Sequence, residues 1–184
     1  MHSIDPVTDD AASHSVAIGP LLDEDLSVLF EWINRPDQVH WNSAYRPVSE
    51  TDHREWFDAI RRRGDVAIFA IRVMPEKRLI GSCQLRGIDP VHHHAELQIR
   101  IGEVGERGQG HGTEAVRLLL RFGFRDLNLH RIYLNVFAHN AAAIRAYEKA
   151  GLRREGVLRQ AAHIDGKYVD VVVMAILRDE FQEG

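Results

Sequence analysis

The sequence predicts an α/β (α+β) fold, and three observations carry that expectation. Short runs rich in β-branched residues alternate along the chain with longer segments of helical periodicity. Two pairs of β-rich runs are joined by turn signals, Pro75 in one and Asp165-Gly166 in the other, so hairpins contribute to the sheet. A loop of little side-chain bulk, Arg107-Gly108-Gln109-Gly110-His111-Gly112-Thr113, links an alternating strand to a strongly helical segment. At 184 residues the chain is long enough to bury about 70% of its unfolded surface around one core. The expectation is therefore one domain over residues 15–184, after a flexible N-terminal tail over 1–14.

The elements follow in order. Residues 16–21 read as a first strand and 23–34 as a helix that stops ahead of Pro36, because the residue before a proline avoids the helical region. Ser49, with Asp52 three positions on, is a capping-box-like start for a second helix that runs to about 63, where Gly64 ends it. Residues 66–73 and 78–86 make a hairpin around Pro75. Over 95–102 the chain alternates, with Leu97, Ile99 and Ile101 on one face and Glu96, Gln98 and Arg100 on the other, so that the second face is a candidate cavity wall. Residues 113–127 form a long helix with Ala115, Val116, Leu119, Leu120 and Phe122 on its apolar side. A strand over 131–137 precedes a helix over 140–150, which Asn140 caps at one end and Gly151 closes at the other. The chain ends in a hairpin of 157–162 with 168–176.

Composition excludes several function classes. A net charge of -4 argues against nucleic acid as a partner, since a basic surface is needed to offset the phosphate backbone. The single cysteine, Cys83, cannot form an intramolecular disulfide, and no apolar run approaches the roughly 18–20 residues of a spanning helix, so no membrane partner is expected. The first 15 residues lack the apolar stretch of a signal peptide, which makes a cytoplasmic protein the expectation. His92-His93-His94 sits on a turn where three adjacent residues cannot all aim at one ion, and no metal is expected.

The glycine-rich loop has chemistry of its own. Backbone N–H groups can converge there on an anion at a helix N-terminus, so it reads as a phosphate cradle. It is neither a P-loop, which needs Gly-Lys-Ser/Thr, nor a dinucleotide fingerprint. Its pattern, Arg107-x-x-Gly110-x-Gly112, is followed by the segment from His139 to Leu152, in which Asn140 opens a helix, Tyr147 lies two turns on and Gly151 closes it. The two together resemble the GNAT superfamily of N-acetyltransferases, and the element order matches that fold from about residue 15 to 178. Within it, Glu31-Trp32-Ile33-Asn34-Arg35-Pro36-Asp37 and Ile164-Asp165-Gly166-Lys167-Tyr168-Val169-Asp170 are similar to the branch of ribosomal-protein-alanine and spermidine acetyltransferases (RimJ/RimL-like).

That resemblance implies a mixed, mostly antiparallel sheet of about seven strands with helices on both faces, splayed between strands 4 and 5. It implies acetyl-CoA as co-substrate, and a small-molecule or peptide primary amine as acceptor that attacks the thioester directly in a ternary complex. Backbone groups of Arg100, Ile101 and Gly102 would ladder with the pantetheine arm and polarise the acetyl carbonyl. Amides of Arg107, Gly108, Gln109, Gly110, His111, Gly112 and Thr113 would bind the pyrophosphate, and Asn140 and Arg145 would secure the arm from the other side. Tyr147 would be the general acid toward the sulfur, because its ordinary pKa of about 10 lies above that of a thiol at about 8.5. A homodimer is common in this branch.

Two readings stay open beside these. Glu96, on the polar face of the strand feeding the cradle, is the candidate catalytic base, and equally a salt-bridged strand carboxylate. The first two helices carry Asp23, Glu24, Asp25, Glu31, Asp37, Glu50, Asp52 and Glu55 interleaved with Trp32, Trp41, Tyr45 and Trp56. Such a surface suits a cationic amine, though solvated helix faces look the same. A different class of function, a catalytically silent CoA-binding sensor, would share the cradle but have no need of a free Tyr147 hydroxyl.

Overall fold

The computed structural model describes residues 15–35 and 46–182. The expected tail over 1–14 lies outside these, as do Pro36, Asp37, Trp41 and Tyr45. Seven strands are present: β1 Val16–Gly19, β2 Val66–Val73, β3 Arg78–Asp89, β4 His94–Ile101, β5 Arg131–Phe137, β6 Arg153–Ile164 and β7 Lys167–Leu177. Among the described residues four α-helices accompany them: α1 Leu26–Asn34, α2 Glu50–Ile60, α3 His111–Arg125 and α4 Ala141–Lys149. The strands form one mixed sheet in the order β1-β2-β3-β4-β5-β7-β6. Every neighbouring pair is antiparallel except β4 and β5.

Local chemistry explains the boundaries. Ser49 caps α2 by accepting the Asp52 N–H at 3.1 Å, and Asn140 caps α4 by accepting the Ala143 N–H at 3.1 Å. Asp165 and Gly166 take φ of 48° and 75°, the paired left-handed conformation that a two-residue hairpin turn requires. The structure departs from the sequence reading in three places. Asp23–Asp25 is a 3-10 turn, not α-helix, because the Asp25 carboxylate turns inward to accept the Leu22 N–H at 2.8 Å and to pair with Arg72. α3 starts at His111, two residues early, since Gly110 already serves as its N-cap with φ of 94°. β6 is longer than expected because a bulge between Leu158 and Ala162 absorbs extra residues, with the Gln160 N–H held by Asp170 Oδ1 at 2.8 Å.

The larger core cluster lies on one side of the sheet. Leu85, Leu97, Ile132, Leu134 and Met174 are buried there with Leu119 and Leu120 of α3. Each such side chain contributes about 1.5–3 kcal/mol through burial. Ile144 of α4 and Leu152 join the same cluster. The other side of the sheet takes α1, whose Trp32 indole packs directly on Gly102 at the end of β4. A Cβ at Gly102 would lie 2.1 Å from Trp32 Cδ2 and Cε3, so glycine is required here by close approach. Gly102→Ala is expected to overpack this contact at a cost of about 1–3 kcal/mol, lowering the melting midpoint by about 2–4 °C per kcal/mol. Thermal unfolding of the variant checks it, and an unshifted midpoint would mean α1 can slide without cost.

Candidate functional site

The sheet opens at its centre. β4 and β5 pair only through His94↔Arg131, Ala95↔Ile132 and Glu96↔Tyr133, and beyond Glu96 the two strands no longer pair. Which β4 peptide groups face the opening follows from strand alternation. The His93 carbonyl accepts from Arg131 across to β5, whereas the Gly102 N–H donates to the Ile80 carbonyl on the β3 side at 2.9 Å. Odd-numbered residues therefore turn their peptide groups to β5 and even-numbered ones to β3. The Ile101 peptide groups face the opening, whereas those of Arg100 and Gly102 are turned to β3. Ile99 takes their place, a position the sequence reading missed although its strict alternation carried the signal. The Ile101 carbonyl accepts from Arg107 Nε at 3.2 Å, which ties the following loop to this strand.

That loop ends in a bare helix terminus. Val104–Glu106 is a 3-10 turn, Gly108 and Gly110 have φ of 79° and 94°, and α3 begins at once with its first intrahelical bond from Glu114 N–H to the Gly110 carbonyl. The N–H groups of His111, Gly112 and Thr113 come before that bond, so the helix itself supplies them no acceptor. A Cβ at Gly108 or Gly110 would meet no atom within 4 Å, so the approach to these amides is open. This is the geometry in which backbone donors and the helix dipole hold a phosphate. Gln109 folds its amide back onto the Gly105 carbonyl at 2.6 Å. The His111 side chain is buried and faces the other way, with Nε2 3.0 Å from Glu106 and Nδ1 3.0 Å from Ser15 Oγ. Only its backbone can serve the cradle. Arg78 bonds Glu106 at 2.5 Å and holds that carboxyl below the usual carboxylate range, with His111 adding to the effect. No sequence pattern announces this brace, whose members lie up to 96 residues apart.

α4 presents Tyr147. Its ring packs against the hydrophobic core, and among the described residues its hydroxyl has no protein partner. Burial pushes the phenol up to about 12, so it stays protonated throughout the neutral range. Arg117 fixes the end of this helix by donating to the Lys149 carbonyl at 2.7 Å. Asn140 uses its side-chain oxygen in the cap, and Arg145 lies exposed on the same helix.

The face of β4 that carries Trp32 is polar. Glu96 Oε2 is held by Arg86 of β3, 2.8 Å from Nη2 and 3.0 Å from Nε. Gln98 and Gln84 pair at 2.7 Å, and Arg100 stands opposite Ser82. Of the acidic residues on the first two helices, Asp25 is buried against Arg72 and Asp23 pairs with Arg61, whereas Glu24, Glu31, Glu50 and Glu55 are exposed. Asp25 therefore drops out of any acidic acceptor wall. Cys83 is buried, its thiol pushed upward by desolvation, and is a core side chain. Among the described residues no group of three or more His, Cys, Asp or Glu could hold a metal ion, and no helix is long and apolar enough to cross a membrane.

Comparison with known proteins adds to this geometry. A family profile described as an acetyltransferase (GNAT) domain matches residues 16–153. The spermidine N(1)-acetyltransferase of Escherichia coli K12 is 32% identical over 180 residues, covering 92% of this chain and 90% of that protein. An aminoglycoside N(6')-acetyltransferase type 1 of Klebsiella pneumoniae is 26% identical over 168 residues, covering 80% and 78%. The crystal structure of spermidine N-acetyltransferase from Vibrio cholerae in complex with CoA and spermine superposes with a TM-score of 0.83 at 28% identity, covering 90% of this chain and 97% of that one.

Proposed function

This chain belongs to the GNAT acetyltransferase family and is an acetyl-CoA-dependent N-acetyltransferase, and from that premise we propose how its own residues carry the transfer. The observation that carries the reading is the opening of the sheet beyond Glu96↔Tyr133, bordered by a helix terminus whose first amides the helix leaves without acceptors. CoA lies in that opening, its pyrophosphate on the amides of residues 107–113 and its pantetheine arm laddered on Ile99 and Ile101. Asn140 and Arg145 hold it from the α4 side. Fixing both reactants in this way can lower the barrier by roughly 7–11 kcal/mol.

The acceptor is a primary amine that is cationic in solution. Relatives are named for spermidine and for aminoglycosides, both of which carry such amines. It enters over the polar face of β4, loses a proton toward Glu96, and attacks the thioester carbonyl while the Ile99 amide polarises that oxygen. Glu96 has its Oε2 committed to Arg86, so Oε1 receives the proton, directly or through water. The nitrogen–carbon bond forms, the carbon–sulfur bond breaks, Tyr147 gives its proton to the departing thiolate, and the proton shed by the newly acylated nitrogen restores the Tyr147 phenol. We also read the protein as a cytoplasmic homodimer, on the resemblance to its branch; sedimentation of the purified chain tests the dimer.

Thiol release from acetyl-CoA tests the function. With a panel of spermidine, glucosamine and a peptide bearing a free N-terminus, release is expected to depend on at least one amine. No amine-dependent release with CoA still bound would favour the silent sensor. Glu96→Gln is expected to slow the active reaction by about 10²–10⁴, most severely at low pH, where the amine is most protonated and a base most needed. An equal rate at every pH would assign proton removal to water.

A further inference from the structure

The polar face of β4 contains a positive charge that no group among the described residues answers. Its charge inventory is short. Ser82, Gln84 and Gln98 are neutral, and the Glu96 carboxylate is answered by Arg86 at 2.8 Å. Arg100 remains, half-buried and, among the described residues, without a hydrogen bond or ion pair. Burial alone acts on its guanidinium, which is pushed below its ordinary range with no carboxylate nearby to oppose the shift. A guanidinium partly withdrawn from water without a protein acceptor is costly to the fold, and the group stays charged under all ordinary conditions. It is the residue best shaped to grip an anionic oxygen group in two places.

A second observation lies beside it. Gln84 Oε1 is buried with no hydrogen-bond partner. With the Gln98 amide turned, its oxygen accepts from Arg86 Nε and Nη2 at 3.1 Å and its nitrogen faces the Gln84 amide; for that contact to be a hydrogen bond Gln84 must present its oxygen there, which puts an N–H at the orphaned position. Gln84 stands opposite Gln98, one diagonal step from Arg100, a separation of about 7–8 Å that long side chains span. An unsatisfied, buried amide position thus lies on the same face of the sheet as Arg100.

We propose that the acceptor is a primary amine that also carries an anionic oxygen group, a carboxylate or a phosphate, held by Arg100 with the Gln84 amide beside it. This rests on the acceptor entering over the β4 face. It separates the chain from its polyamine-named relatives, because a purely cationic acceptor would bring like charge against Arg100.

Matched amines test it. The full-length protein is assayed by thiol release with lysine against cadaverine, with β-alanine and O-phosphoethanolamine against ethanolamine, and with spermidine. The anionic member of at least one pair is expected to be favoured in kcat/KM by about ten- to a hundredfold, as a charge-assisted hydrogen bond to a charged group warrants. The ethanolamine set distinguishes carboxylate from phosphate. Arg100→Met is expected to collapse that ratio to near one through KM, and Arg100→Lys to restore part of it; a CoA-induced rise in the melting midpoint shows that each variant is folded. Turnover of cadaverine, ethanolamine or spermidine as fast as that of the anionic amines overturns the proposal while leaving amine acetylation intact. A preference that survives in Arg100→Met also overturns it. Turnover of none of these amines counts against both this proposal and the acceptor reading beneath it.

Discussion

Tyr147→Phe is expected to lower turnover by roughly 10²–10⁴ while leaving the affinity for acetyl-CoA nearly unchanged. The substitution keeps the ring that packs on the core and removes only a hydroxyl that bonds no protein group, so no internal hydrogen bond is lost with it. Stability should therefore move little. What is lost, on the mechanism proposed above, is a proton donor beside a thiolate that must leave. Because burial holds the phenol at about 12, the wild-type rate should show no loss from Tyr147 ionisation until pH nears that value. The measurement is single-turnover thiol release, so that product release does not mask chemistry. A Phe variant with wild-type turnover would show that water or another residue protonates the sulfur.

Much of the fold was legible because its signals are local. Two hairpins announced themselves through Asp165-Gly166 and through the turn containing Pro75, and both helix caps, Ser49 and Asn140, act as their residue types predict. Where the reading failed, a distant partner intervened. Asp25 looked like a helical surface carboxylate, but Arg72, 47 residues on, draws it inward and tightens the turn. The bulge in β6 depends on Asp170 of the neighbouring strand and cannot be read from β6 alone.

The site divides the same way. Its sequence-local part, the glycine loop running into α3, lies where the pattern put it. Its non-local part needed coordinates. Parity decides that Ile99 and Ile101, not Arg100 and Gly102, face the opening, and a sequence cannot say which parity faces β5 until the β3–β4 register is known. Glu96 illustrates a third case: the salt-bridged reading is met by its pair with Arg86, while the catalytic-base role stays a proposal that rests on the oxygen Arg86 does not hold. The acidic surface of the first two helices proved the weakest guide, because composition counts charges without counting their partners, and Asp23 and Asp25 are already paired.

Gly110→Val is expected to abolish most of the stabilisation that CoA gives the wild-type protein. That stabilisation is about 2.7 kcal/mol at a hundredfold excess over the dissociation constant, or about 2–4 °C of melting midpoint per kcal/mol. Two costs act together. At φ of 94° a β-branched residue is strained by about 1–3 kcal/mol, which favours unwinding the first turn of α3 and scattering its N–H groups. The isopropyl group would also fill the space over those amides, which is open at present. Gly112→Ala separates the two costs. Gly112 lies inside the helix without a left-handed φ, and an added Cβ meets only Ile101 Cγ1 at 3.7 Å, so the folded backbone accepts it without strain. A CoA shift lost in Gly112→Ala at unchanged stability therefore assigns the effect to blocked approach. A shift lost only in Gly110→Val assigns it to the turn's geometry. If both variants respond to CoA as the wild type does, the phosphate does not sit on this loop and the cradle assignment fails.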